Sequence, residues 1–177
     1  MNHHRANSKR VLAIAPKPRG FGFAILESPT TLIDWGVKAT RQQKEATTLA
    51  KVAELIRHYQ PEVFVFEDCR KSRRCPRVRR LLDHICNLAI HKSVRPRSVP
   101  ASRVRKVFLS FHARTKHEIA QVIAQQLPDL APRLPRYRKP WMSEDYRMAI
   151  FDAAALALTY FYTRPMRTRR AAEPSAP

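Results

Sequence analysis

Residues 63–66, Val-Phe-Val-Phe, restrict the fold more than any other stretch of this chain. Four β-branched and aromatic residues in succession leave no polar side for solvent, so the segment is expected to be a strand buried on both faces. Upstream, Leu49, Val52, Ala53 and Ile56 recur at helical spacing with Lys51, Glu54 and Arg57 opposite. Residues 45–59 therefore read as an amphipathic helix, which Pro61 ends. Before it lie three short apolar runs, at 11–15, 21–26 and 32–37, joined by the basic turn 16–20 and by Ser28-Pro29-Thr30. Tight turns between short runs suggest an antiparallel meander. A helix that carries the chain from a meander into a buried strand implies a crossover and a mixed sheet.

The remainder alternates in the same way. Residues 81–91 read as a second helix, and 93–100 as a fifth strand that Pro96 and Pro100 push to the sheet edge. Residues 101–108 read as a short helix, and 115–127 as a clearer one with the stripe Ile119, Val122, Ile123 and Leu127. Four prolines and four basic residues make 128–140 a stiff, exposed connector. Ser143 is expected to cap a final helix running to about residue 162, with Glu144 and Asp145 at its positive end. The expected organisation is one α/β domain over 10–162 between basic tails, 1–9 and 163–177, that are expected to be disordered.

Charge narrows the partner. The 177 residues hold 34 Lys and Arg against 14 Asp and Glu, a net +20, while 44% hydrophobic content is too high for a disordered chain. So one-sided a surface calls for a polyanion, and nucleic acid is the expected partner; a solvated basic face or a ribosome-like structural role is the plainer alternative. No run approaches the ~20 apolar residues of a membrane span. Residues 1–10 lack the apolar core of a secretory signal. Cys69, Cys75 and Cys86 show no CxxC spacing, so reduced thiols in the cytoplasm are expected rather than a zinc site.

The buried strand ends in Glu67-Asp68, and the eleven residues 70–80 include Arg70, Lys71, Arg73, Arg74, Arg77, Arg79 and Arg80. A carboxylate at a strand tip can hold a cation while arginines behind it hold phosphates. The alternatives are an exposed acid paired to Arg70 or Arg73, and a solvated charge run. Asp152 lies among Ile150, Phe151 and residues 153–156, where an unpaired charge is costly, so it needs a cation or an arginine partner. Lys17 and Arg19 on the first turn, with Arg114 and Lys116 ahead of a helix, are expected to ring the same pocket. Trp35 and Trp141 are expected to pack rather than to wedge between bases.

These motifs, in this order, resemble RuvC-like Holliday junction resolvases of the ribonuclease H-like superfamily. Val11-Leu12-Ala13-Ile14-Ala15-Pro16 followed by Gly20-Phe21-Gly22-Phe23-Ala24 is similar to the family's opening strand, turn and second strand. Pro61-Glu62-Val63-Phe64-Val65-Phe66-Glu67 is similar to the strand bearing a catalytic Glu. Ala113-Arg114-Thr115-Lys116-His117-Glu118-Ile119 resembles the stretch that brings a Lys to the site. Phe151-Asp152-Ala153-Ala154-Ala155-Leu156-Ala157-Leu158 resembles the closing helix with the last catalytic Asp. The resemblance implies a ribonuclease H-like fold, a five-stranded mixed sheet of meander plus crossover strands flanked by helices. It further implies Mg²⁺ or Mn²⁺ cofactors ~4 Å apart, branched or duplex DNA as substrate, a homodimer and a nucleoid-associated location. Glu67 and Asp152 become the implied metal ligands, with Asp145 an auxiliary candidate, and Lys116 a stabiliser of the scissile phosphate.

Three positions depart from the family pattern. Ala15 stands where the first catalytic Asp belongs, and Lys17 replaces the Gly that follows the proline. The pattern would also prefer an acid at 149, which is Ala, and Asp145 and Asp152, if on one helix, lie ~10.5 Å apart. Glu144 and Asp145 either serve a second cation or only complement the helix N-terminus. Two functions stay open: a metal-dependent, structure-selective endonuclease, and a catalytically inactive DNA- or RNA-binding accessory protein of the same fold.

Overall fold

The computed structural model describes residues 10–40, 45–68, 76–139 and 141–164. Arg70, Lys71, Arg73 and Arg74, with Cys69 and Cys75, lie outside the described residues, as do both predicted tails apart from residues 163 and 164.

Strands β1 (Val11–Lys17), β2 (Gly20–Ser28) and β3 (Thr31–Ala39) form the predicted meander. Gly20, directly after the two-residue turn that joins β1 to β2, has φ of +135°, and a Cβ there would lie 2.1 Å from the Lys38 carbonyl oxygen. Helix α1 (Glu45–Tyr59) then crosses over to β4 (Val63–Glu67), which pairs with β1 in parallel. Helix α2 (Pro76–His91) crosses to β5 (Arg95–Val99), parallel to β4. The sheet order is β3-β2-β1-β4-β5, which puts the proline-bearing β5 at the edge. Helices α3 (Ala101–Leu109), α4 (Lys116–Gln126) and α5 (Met148–Thr163) complete the domain, with a short 3-10 helix, Pro128–Arg133, after α4.

Strand alternation divides the core in two. Leu12, Ile14, Phe21, Phe23, Ile25 and Phe64 face α1 and α2. Val11, Ala13, Ala15, Ala24, Val63 and Val65 face α3, α4 and α5. Helix α5 lies across β1 and β2 because Gly22 has no side chain: a Cβ there would meet the Ala149 carbonyl oxygen at 2.1 Å. No helix among the described residues is long and apolar enough to cross a membrane.

Three expectations need correction. Helix α2 begins at Pro76, not at residue 81, so Arg77, Arg79 and Arg80 belong to its first turns; proline suits the first helical position, where no amide hydrogen is needed. Residues 128–133 are a 3-10 helix with Leu130 fully buried rather than exposed connector. Helix α5 begins at Met148, so Ser143 caps nothing, and residues 141–147 form turns ahead of the helix.

Candidate functional site

Register and period assemble the site. The last parallel pair of β1 and β4 is Ile14 with Phe66, so Ala15 and Glu67 follow side by side at the strand tips. Both have the parity of the side that faces α5, as does Lys17 two residues on. On α5, Met148, Phe151, Asp152 and Ala155 occupy one helical stripe, and an acid in that apolar series is aimed at the same place. The result is a cavity of about 310 Å³ whose lining includes Ala15, Lys17, Glu67, Arg114, Lys116 and Asp152.

The segment leading into α4 is held by a reciprocal cap. Thr115 Oγ1 accepts from the Glu118 amide at 3.2 Å, and the Glu118 carboxylate accepts from the Arg114 and Thr115 amides at 2.7 and 2.8 Å. Those amide hydrogen bonds hold the Glu118 carboxyl below its ordinary value. They also fix Arg114 and Lys116 at the cavity rim.

Two ammonium groups and two carboxylates close a ring. Lys17 Nζ lies 2.7 Å from Asp152 Oδ2 and 2.8 Å from Glu144 Oε2. Lys116 Nζ lies 3.1 Å from the same Asp152 oxygen and 2.6 Å from Glu144 Oε1. Burial opposes the charge on Lys17, but Asp152 and Glu144 beside it outweigh that, and the ammonium titrates above its ordinary value. Burial likewise opposes the charge on Glu144, and hydrogen bonds from Lys116 and Lys17 overcome it, drawing the carboxyl down to about 2.

The remaining sequence candidates separate. Asp145 does not line the cavity: Arg147 grips its carboxylate, with Nη2 2.6 Å from Oδ2 and the backbone amide 2.9 Å from Oδ1. This overturns the picture of Asp145 one heptad before Asp152 on a shared helix, because the helix starts after it. Arg19 is exposed on the β1–β2 turn and is not among the lining residues. Asp34 faces the other side of the sheet, where Tyr59 donates to it at 2.5 Å, so it cannot replace the missing acid at position 15. Trp35 packs against the core as expected, whereas Trp141 is 77% exposed. Arg105 is a lining residue that the sequence reading missed. Ala101, Val104, Arg105 and Phe108 have helical spacing, and a lone Arg on that face was the available signal.

A divalent cation fits this donor set poorly. Ala15 offers no ligand, Ala149 is buried against Gly22, and among the described residues no three His, Cys, Asp or Glu side chains converge. Glu67 and Asp152 do share the cavity, but two ammoniums already engage Asp152 and Glu144. Among the described residues, the cavity lining and the Glu144 held by its lysines bring three carboxylates together with four cations, counting Arg105 and Arg114, and a further dication would add to an excess of positive charge.

No protein-family model matches the chain, and no curated protein matches it in sequence. Solved structures do match. RuvC of T. thermophilus in complex with a Holliday junction substrate superposes with a TM-score of 0.64 at 19% identity, covering 87% of this chain and 94% of that one. The Fowlpox virus resolvase in complex with Holliday junction DNA gives a TM-score of 0.56 at 14% identity, covering 87% of this chain and 99% of its own. At such identities the likeness is one of fold, carried by the sheet and the helices that flank it. The chain has the ribonuclease H-like fold of the RuvC and poxvirus Holliday junction resolvases.

Proposed function

We propose that this protein binds DNA, branched or duplex, through its backbone phosphates, on a nuclease-type fold whose metal-dependent cleavage has been lost. The observation that carries the reading is the pair of lysine ammoniums seated on Asp152 and Glu144 beneath Ala15. Phosphodiester cleavage of the kind the fold supports needs divalent charge at the attacking and leaving oxygens. Here the positive charge is supplied by Lys17 and Lys116, which bind phosphate but do not generate a nucleophile. Lys116, with its side chain 56% exposed, is the member best placed to reach a phosphate oxygen. Arg105 and Arg114 on the cavity wall, and Arg77, Arg79 and Arg80 on the first turns of α2, extend the cationic surface. The helix dipole at that N-terminus also favours phosphate.

Glu67 and Asp152 sharing one cavity is the observation in favour of the second reading, a Mg²⁺- or Mn²⁺-dependent structure-selective endonuclease. One assay separates the two. A four-way junction, a duplex of the same length and a duplex RNA are titrated at one fixed salt concentration, with either EDTA or MgCl₂ present. The expected result is binding of the junction that is equally tight in EDTA, with all four strands intact afterwards. Cutting that requires Mg²⁺ or Mn²⁺ would establish the second reading. Equal affinity for RNA and DNA would instead favour a structural RNA-binding role. The homodimer and nucleoid-associated location implied by the resemblance belong to this reading, and light scattering of the free protein and its junction complex tests the first.

A further inference from the structure

The three most exposed large hydrophobic side chains among the described residues fall within ten positions of one another: Trp141 at 77%, Tyr137 at 71% and Tyr146 at 68%. They share the segment between the 3-10 helix and α5 with Arg136, Arg138 and Lys139, all exposed. A large aromatic ring left in water forfeits most of its burial free energy, so several in one short segment mark a surface that something covers.

The segment is tied to the cavity at two separate points. Glu144 is held by Lys17 and Lys116. The Tyr137 ring meets the ring of His117, next to Lys116, edge-on at a centroid separation of 5.5 Å. The aromatic faces therefore begin where the phosphate-binding cations end. Within the segment the Met142 amide donates to the Lys139 carbonyl at 3.0 Å, closing a turn, and the Lys139 ammonium lies 5.3 Å above the Trp141 ring.

We propose that Tyr137, Trp141 and Tyr146 form a platform on which unpaired bases of DNA stack, while the cavity beside them holds the adjoining phosphates. The inference rests on the DNA-binding reading and deepens it by naming what is selected. Alternating cations and ring faces complement a polyanion whose bases are π-systems. Bases inside an intact duplex present their faces only to one another, so the platform discriminates in favour of branch points, forks and single-stranded ends. The basic segment 70–80 contains no aromatic residue, so it offers no ring on which an unpaired base could stack.

The test uses the full chain in a Trp35→Phe background, leaving Trp141 as the sole tryptophan. Forked DNA with unpaired arms and a fully paired duplex are titrated at one salt concentration, following both binding and Trp141 emission. The expected result is quenching of Trp141 by the fork but not by the duplex. In a parallel titration read by anisotropy of labelled DNA, Trp141→Ala should lower the fork-over-duplex affinity ratio about 5- to 150-fold, the range for loss of one stacked base. Trp141→Phe should restore most of it. If the protein binds both DNAs while Trp141→Ala leaves the ratio unchanged, the platform is wrong and the wider reading stands. If the protein binds neither, both fall. Trp141 emission that changes with protein concentration alone, and not with DNA, would assign the surface to a second copy of this chain and overturn the proposal.

Discussion

Replacing Lys17 by Gly together with Ala15 by Asp should convert the cationic cavity into one that takes a divalent ion. Both positions lie on the face of β1 that lines the cavity. The pair of changes turns three carboxylates against four cations into four against three, a swing of two charges, equal to that of one dication. It also removes the ammonium 2.7 Å from Asp152 and 2.8 Å from Glu144. Glycine in the strand costs about 0.5–1 kcal/mol of stability, which lowers the metal-free melting temperature without obscuring a metal response. An ion bound with a Kd of about 1 mM and supplied at about 10 mM would stabilise the fold by about 1.4 kcal/mol. For a domain of this size that raises Tm by about 3–6 °C. The assay is thermal unfolding followed by circular dichroism, with MgCl₂ compared against KCl at equal ionic strength. Wild type should show no Mg²⁺-specific shift. Ala15→Asp alone should show little, because the introduced carboxylate meets Lys17. A wild-type shift as large as that of the double variant would refute the idea that the two lysines hold the cation's place.

Other outcomes follow from the same contacts. The Glu144 carboxyl, drawn down to about 2 from an ordinary 4.5, contributes stability that is complete above about pH 4.5 and lost as the pH falls towards 2. The gap corresponds to about 3 kcal/mol, which solvent screening of a side chain 36% exposed reduces to about 1 kcal/mol; denaturant midpoints of wild type and Glu144→Gln should converge across that window. Gly22→Ala drives a methyl group into the Ala149 backbone, so α5 must lift from the sheet, and Tm measured by circular dichroism should drop by about 6–12 °C, equivalent to about 3 kcal/mol. If the site engages about five phosphates, log K for DNA should fall against log salt with a slope near −4 to −5. Lys116→Met should reduce that slope by about one in a salt series of binding titrations.

Much of the architecture was legible because it depends on neighbours in sequence. The unbroken run at 63–66 could only be an interior strand, and the helical spacing of Leu49, Val52 and Ile56 required a crossover into it. The side of the sheet that Glu67 shares with Ala15 required the parallel register of β1 and β4 as well as strand period, while an acid in the apolar stripe of α5 aimed Asp152 at both. The helix start was misread because Ser143 offers a local capping signal, whereas α5 begins at Met148. That difference of a few residues separates two adjacent acids, sending Glu144 to the lysines and Asp145 to Arg147.

Local pattern was enough to specify a five-stranded mixed sheet with one acid at the tip of β4 and another on the last helix, and composition set a net charge of +20. Tertiary structure alone decided which charges meet. Position 17, position 116 and the pair 144 and 152 are remote from one another along the chain, and only the packing of α4, α5 and the turn before α5 over β1 brings their side chains within hydrogen-bonding distance. The exposure of Trp141 was decided there too, since whether a tryptophan is covered depends on what packs above it rather than on its own hydrophobicity. Secondary structure answers to short-range sterics and periodicity, while ion pairing and burial answer to distances through space that no local pattern encodes.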